Sequence, residues 1–172
     1  MSGARFELEA TLIAATPDHI IATWANVVIL VWRNETTLKG VEAVQKVYDN
    51  LSAANPKGIF LMTVVEFGAP MPSADVRDAL ARFLASGSGR MILSGVTHEG
   101  TGFRAAAVRS VVTGLALLAK LPYPHKVFAT VDEAAAWFWL NSPIARAWGE
   151  RGKTLADAVA EVRYRGEHAA TG

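Results

Sequence analysis

From Phe6 the chain alternates, with Phe6, Leu8, Ala10 and Leu12 on one side and Glu7, Glu9 and Thr11 on the other. That period of two predicts a half-buried strand. Thr16-Pro17-Asp18 follows as turn chemistry. His19–Trp24 and Val27–Arg33 are β-branched and aromatic runs with two residues between them, which predicts a tight antiparallel hairpin, with Asn26 able to take positive φ. Val27–Trp32 is apolar without a break, as expected of a central strand covered on both faces.

Helical spacing then takes over. Leu38, Val41, Val44, Tyr48 and Leu51 share one stripe that stops near Asn55-Pro56. Ile59–Val65 is the next buried strand. Val76, Leu80, Phe83 and Leu84 mark a helix capped by Ser73 and stopped by Gly87-Ser88-Gly89. Met91–Thr97 reads as a strand, Gly102–Leu121 as a long apolar helix ended by Pro122 and Pro124, and Lys126–Ala129 as a short strand. Thr130-Val131-Asp132-Glu133 has the form of a capping box. Ser142-Pro143 restarts a helix that Gly152 closes, and Thr154 opens a short last helix with Leu155, Val159 and Val162 on one face. Strands alternating with helices after an opening hairpin predict an α/β fold with a mixed, mostly parallel sheet and helices packed on it. The 172 residues fit one domain. Its body spans 1–141, a helical extension packed on it spans 142–166, and 167–172 is a frayed tail.

Composition narrows the function classes. Hydrophobic residues make up 51% and charged ones 19%, against about 25% charged in an average domain. The apolar surplus must go into a core, a ligand pocket or a subunit interface. The long helix could present Val112, Leu115 and Ala119 to a second copy, which makes a homodimer one expectation. With no cysteine, disulfides, thiolate nucleophiles and thiolate metal sites are excluded. His19, His98, His125 and His168 are scattered, so neither metal nor cofactor is expected. A net charge of +1 offers no broad field for nucleic acid. Arg5, Glu7 and Glu9 interrupt any signal-peptide core. Arg104, Arg109 and Lys120 break the longest apolar stretch, leaving it short of the ~20 residues a membrane span needs. The chain therefore reads as cytoplasmic.

Candidate chemistry gathers in three turns beyond the carboxyl ends of the predicted parallel strands, where open sheets bind ligands: Arg33 to Thr37, Glu66 to Ser73, and His98 to Arg104. Gly100 and Gly102 flank Thr101 at a helix start, Arg104 lies in the first turn, and an anion there would be favoured by the helix dipole. The plainer reading makes Thr101 a helix cap and sends Arg104 to water. Glu66, His98 and Glu99 could form an acid–base set, although neighbours at a strand end usually point opposite ways. Candidate ligand-binding residues are thus Glu66, His98, Glu99, Gly100, Thr101, Gly102 and Arg104.

The order of elements, the buried strand Ile59–Val65 leading into a helix at Ser73, and the ending Val127-Phe128-Ala129-Thr130-Val131-Asp132-Glu133-Ala134-Ala135-Ala136-Trp137 resemble the STAS domain of anti-sigma-factor antagonists. They are closer still to its SpoIIAA-like branch bordering the SEC14-like proteins. The resemblance covers about Thr16 to Leu140. It implies a non-enzymatic regulatory domain that binds a protein partner, with Ser73 as the counterpart of the family's phosphorylated serine. The residues Glu66 to Pro72 stand where that family has a short Asp-Ser connection. The leading expectation is therefore a STAS-like regulatory or protein-interaction domain. The alternatives are a binder of an anionic or lipid-like small molecule at the carboxyl ends of the strands, and an acid–base enzyme using Glu66 and His98.

Overall fold

The computed structural model describes residues 9–87, 89–148 and 153–170. Six strands form one sheet in the order of the chain: β1 (Thr11–Ala15), β2 (His19–Trp24), β3 (Val27–Trp32), β4 (Ile59–Val65), β5 (Met91–His98) and β6 (His125–Phe128). The first three pair antiparallel and the last four parallel. The mixed α/β class expected from the sequence is therefore present. Residues 1–8, where the first strand was expected to begin, lie outside the described residues. The strand found there runs from Thr11 to Ala15 with a bulge between Leu12 and Ala14, which turns Ile13 to solvent.

The β2–β3 register joins Trp24 to Val27, so the turn is the two-residue Ala25-Asn26 connection. Asn26 does not use that freedom. Ala25 takes positive φ (50°), while the Asn26 side chain donates to the Gly58 carbonyl at 3.0 Å. Asn26 therefore ties the hairpin to the start of β4 instead of relieving the turn.

Alternate residues of the central strands feed two cores. Val27, Ile29 and Val31 of β3 join Phe60, Met62 and Val64 of β4 on one face, whereas Val28, Leu30 and Trp32 join Ile59 and Leu61 on the other. Helix α1 (Leu38–Ala54) starts at Thr37, whose hydroxyl accepts from Gly40 N at 3.0 Å. Helices α2 (Ala74–Ser86) and α3 (Gly102–Ala119) follow β4 and β5. These three crossovers advance in one direction across parallel strands, so right-handed connections place their helices on one face. Helices α4 (Val131–Asn141), α5 (Pro143–Arg146) and α6 (Lys153–Ala169) cover the opposite face through Phe138, Ala145, Leu155, Val159 and Val162. Thr130 caps the helix as expected, its Oγ1 accepting from Glu133 N at 3.2 Å, while the Glu133 carboxylate reaches one residue past the cap and accepts from Ala129 N at 3.1 Å.

The last helix is longer than its sequence suggests. It runs 17 residues to Ala169, through the 167–169 part of the expected tail, because its far end is packed and paired. A Cβ on Gly166 would lie 2.4 Å from Ile20 Cδ1, so the glycine lets α6 close on β2. Gly152 and the end of the tail (171–172) lie outside the described residues. Among the described residues, no helix is long and apolar enough to cross a membrane.

Candidate functional site

The strand register lines up three charges where the parallel strands end. Trp32, Val65 and His98 are neighbours across β3, β4 and β5, so Arg33, Glu66 and Glu99 follow in one row. All three share the parity of the α4–α6 face, and α6 answers them. The Arg163 guanidinium forks onto Glu99, with Nη2 at 2.9 Å from Oε2 and Nη1 closer to Oε1. The same Nη2 lies 3.1 Å from Glu66 Oε1. Arg33 Nε reaches Glu66 Oε2 at 3.5 Å, and Arg33 Nη2 reaches Glu167 at 3.8 Å. Hydrogen bonding to Glu99 raises the Arg163 pKa above its ordinary value against the opposing effect of burial. Both candidate carboxylates are thus held by a cation that sequence reasoning did not single out. The available signal was that Arg163 and Glu167 flank the buried Val159/Val162 stripe four residues apart.

His98 is buried at 4% exposure and has the opposite parity. It shares a strand face with Ser94 and Val96, toward α2 and α3, and its ring edge lies 3.5 Å from where a Cβ on Gly100 would stand. Glu66 and His98 therefore lie on opposite faces of the sheet. Glu66 and Glu99 come together through Arg163, and His98 does not join them.

At the start of α3, Gly100 and Gly102 both take positive φ (143° and 84°). Thr101 occupies the N-cap position with no side-chain hydrogen bond to the helix, so it does not act as a hydroxyl cap. It is exposed, as is Gly102. The Arg104 side chain, and that of Leu115 on the face suggested for a second copy, lie outside the described residues. Ser73 also fills an N-cap position without capping the helix. Its exposed hydroxyl instead donates to the Asp75 carboxylate, which lowers the Asp75 pKa. A phosphate on Ser73 would meet that carboxylate at close range, a repulsion that offsets the welcome of the helix N-terminus.

On the α2–α3 face the structure holds a feature with no signature in the sequence. A cavity of about 80 Å³ lies between β4 and β5, α2 and α3, under the Ala69–Pro72 loop. Leu61, Val65, Val96, Leu84, Val108 and Val111 are among its apolar lining. Val96, Ala105 and Val108 are buried yet belong to neither contiguous core, because the cavity stands between α3 and the sheet. Its polar contributors are Thr36, Thr63 and His125. His125 Nδ1 lies 2.9 Å from Ser94 Oγ, and its Nε2 is buried with no hydrogen-bond partner among the described residues. Burial pushes the His125 pKa down to about 4, so the ring is neutral at neutral pH. Met71, one of the lining residues, is 44% exposed, and Phe67 (76%) and Phe103 (92%), in the turns after β4 and β5, also stand open to solvent. Among the described residues, no group of three or more His, Asp or Glu is placed to hold a metal ion. No family model matches the chain, and neither a curated protein nor a solved structure matches it.

Proposed function

We propose that this chain is a non-enzymatic α/β domain that binds a small, mostly apolar molecule in the cavity between its sheet and α2–α3. The observation that carries this reading is the cavity itself. It is an apolar space of about 80 Å³ reaching the carboxyl-end side of the sheet, bounded there by a proline-containing loop. The carboxylates suited to acid–base work support the same reading from the other side, since both are engaged by Arg163. A charged ligand is disfavoured, because no lining residue would carry a counter-charge at neutral pH. The lipid-like alternative from the sequence is thus narrowed to its apolar, compact form.

A thermal-shift screen of small neutral compounds tests this reading. A compound at about ten times its Kd should raise stability by about 1.4 kcal/mol, or roughly 3–6 °C for a chain of this size. Val111→Phe, which places a ring in the cavity, should abolish the shift. A panel that shifts neither protein, or both equally, would contradict the proposal.

The exposed apolar rim of Phe67, Met71 and Phe103 favours a second reading, the STAS-like interaction domain, in which a partner protein covers this end of the sheet. Phe103→Ser with Phe67→Ser should then abolish capture of that partner while leaving the fold intact. Unchanged capture would remove this reading.

A further inference from the structure

We infer that the open edge of β6, with the groove beside it, is a docking strand for an extended peptide of another protein in which apolar and acidic residues alternate. This surface is separate from the cavity, and neither needs the other.

β6 ends the sheet on one side, so it pairs with β5 alone. Ser94 N donates to the Pro124 carbonyl at 3.1 Å. In a parallel ladder that bond fixes the rest. Lys126 turns its N–H and C=O toward β5, and His125 and Val127 turn theirs outward. Among the described residues, no backbone group takes up those outward donors and acceptors. The open stretch stops at Ala129, whose N–H donates to the Glu133 carboxylate at 3.1 Å. The opposite edge of the sheet is different. There β1 carries a bulge between Leu12 and Ala14, a device that discourages pairing, whereas β6 is regular.

Beside this edge a groove of about 530 Å³ runs between β6 and the C-terminal half of α3. His125 and Val127 line it from the strand, and Thr113, Ala116 and Leu117 from the helix. Leu117 is 74% exposed, so an apolar side chain laid against it removes apolar surface from water on both partners. Lys120 and Lys126 also border the groove, and no Asp or Glu does. Side chains of an added strand alternate between the two faces of the sheet. Those on the face of His125 and Val127 enter the groove, which suits apolar residues. Those on the other face pass beside Lys126, whose Nζ stands 5.5 Å from the Phe128 ring centroid, which suits acidic ones. Main-chain bonds then supply affinity and the alternate side chains supply specificity, as in strand addition generally. The two lysines turn basic segments away, and an edge of only 4 residues makes the complex a transient one.

The test titrates the whole chain with two capped peptides, Val-Glu-Leu-Glu-Val and Val-Lys-Leu-Lys-Val, followed by amide NMR and hydrogen exchange. The acidic peptide should shift the His125 and Val127 amides and slow their exchange, while the Lys126 amide, already bonded to β5, changes little. The basic peptide should bind about fivefold more weakly or less, the size expected of two exposed charge pairs. Val127→Pro removes an outward N–H without touching the β5 ladder and should abolish binding. Should that variant fail to fold, Lys120→Glu with Lys126→Glu gives the answer by reversing the preference between the two peptides. Unmoved His125 and Val127 amides at millimolar peptide, an equal response to both peptides, or binding that survives Val127→Pro would overturn the inference. Protection of the same two amides that rises with protein concentration in the absence of peptide would assign the edge to a second copy and overturn it as well.

Discussion

Replacing Arg163 by Met should loosen the C-terminal end of the sheet from α6 while keeping the apolar stem of the side chain. The guanidinium makes a bidentate bond to Glu99 and a second contact to Glu66 at 3.1 Å. Fully buried, each charge-assisted bond would contribute about 1.5–3 kcal/mol; fully exposed, the pairs would contribute about 0–1 kcal/mol. The side chains lie between these limits, at 27% exposure for Arg163, 31% for Glu99 and 17% for Glu66. Glu66 keeps Arg33 after the change, whereas Glu99 loses its cation among the described residues. We therefore expect a loss of about 2 kcal/mol in urea denaturation at pH 7, or roughly 4–8 °C in Tm. A double-mutant cycle with Glu99→Gln should give a coupling of at least about 1 kcal/mol, and the corresponding cycle with Glu66→Gln a smaller one. A loss below about 0.5 kcal/mol, or additive behaviour of Arg163 and Glu99, would refute the idea that this clamp fastens α6.

Three further outcomes follow from single positions. Gly166→Val should destabilise by about 2 kcal/mol in chemical denaturation, since its Cβ would lie 2.4 Å from Ile20 Cδ1 and 3.0 Å from Cγ2 of a completely buried side chain; a gain in stability would mean that α6 stands off the sheet. Ala25→Gly should stabilise by about 0.5–1 kcal/mol by relieving the left-handed turn residue, and an unchanged urea midpoint would contradict that. His125 is held down to about 4 by burial, so the unfolded chain binds its proton first as pH falls. The stabilisation is complete above about 6.5 and is lost progressively toward pH 4, up to about 3 kcal/mol. His19 shifts in the same direction, so the quantity to measure is the difference in pH slope between wild type and His125→Phe. Identical slopes would show that His125 does not titrate as a buried group.

The strands were legible because their residues are covered on both faces. Val27–Trp32 and Ile59–Val65 are near-continuous apolar runs in sequence, and both lie in the middle of the sheet. Helix α1 was equally plain from its stripe. The turn residue was misread because Asn26 had a better use, bonding the Gly58 carbonyl 32 positions away, which no local rule anticipates. The reach of α6 was missed for a similar reason. Gly166 and Glu167 look like fraying signals until β2 and Arg33 supply their contacts. The convergence of the Glu66 and Glu99 turns at one sheet end was legible from the strand order, but their partner Arg163 comes from the last helix. The cavity left no trace, because β4, β5, β6, α2 and α3 each read as ordinary core elements and the space exists only between them.

The most direct test is a crystal of the wild-type protein pressurised with xenon, an apolar probe with no hydrogen-bonding capacity. A single strong xenon peak bounded by Leu61, Val96, Val108 and Val111 should appear, and be absent in Val111→Phe. Closed density at that position, with Val108 packed directly on the sheet, would contradict it.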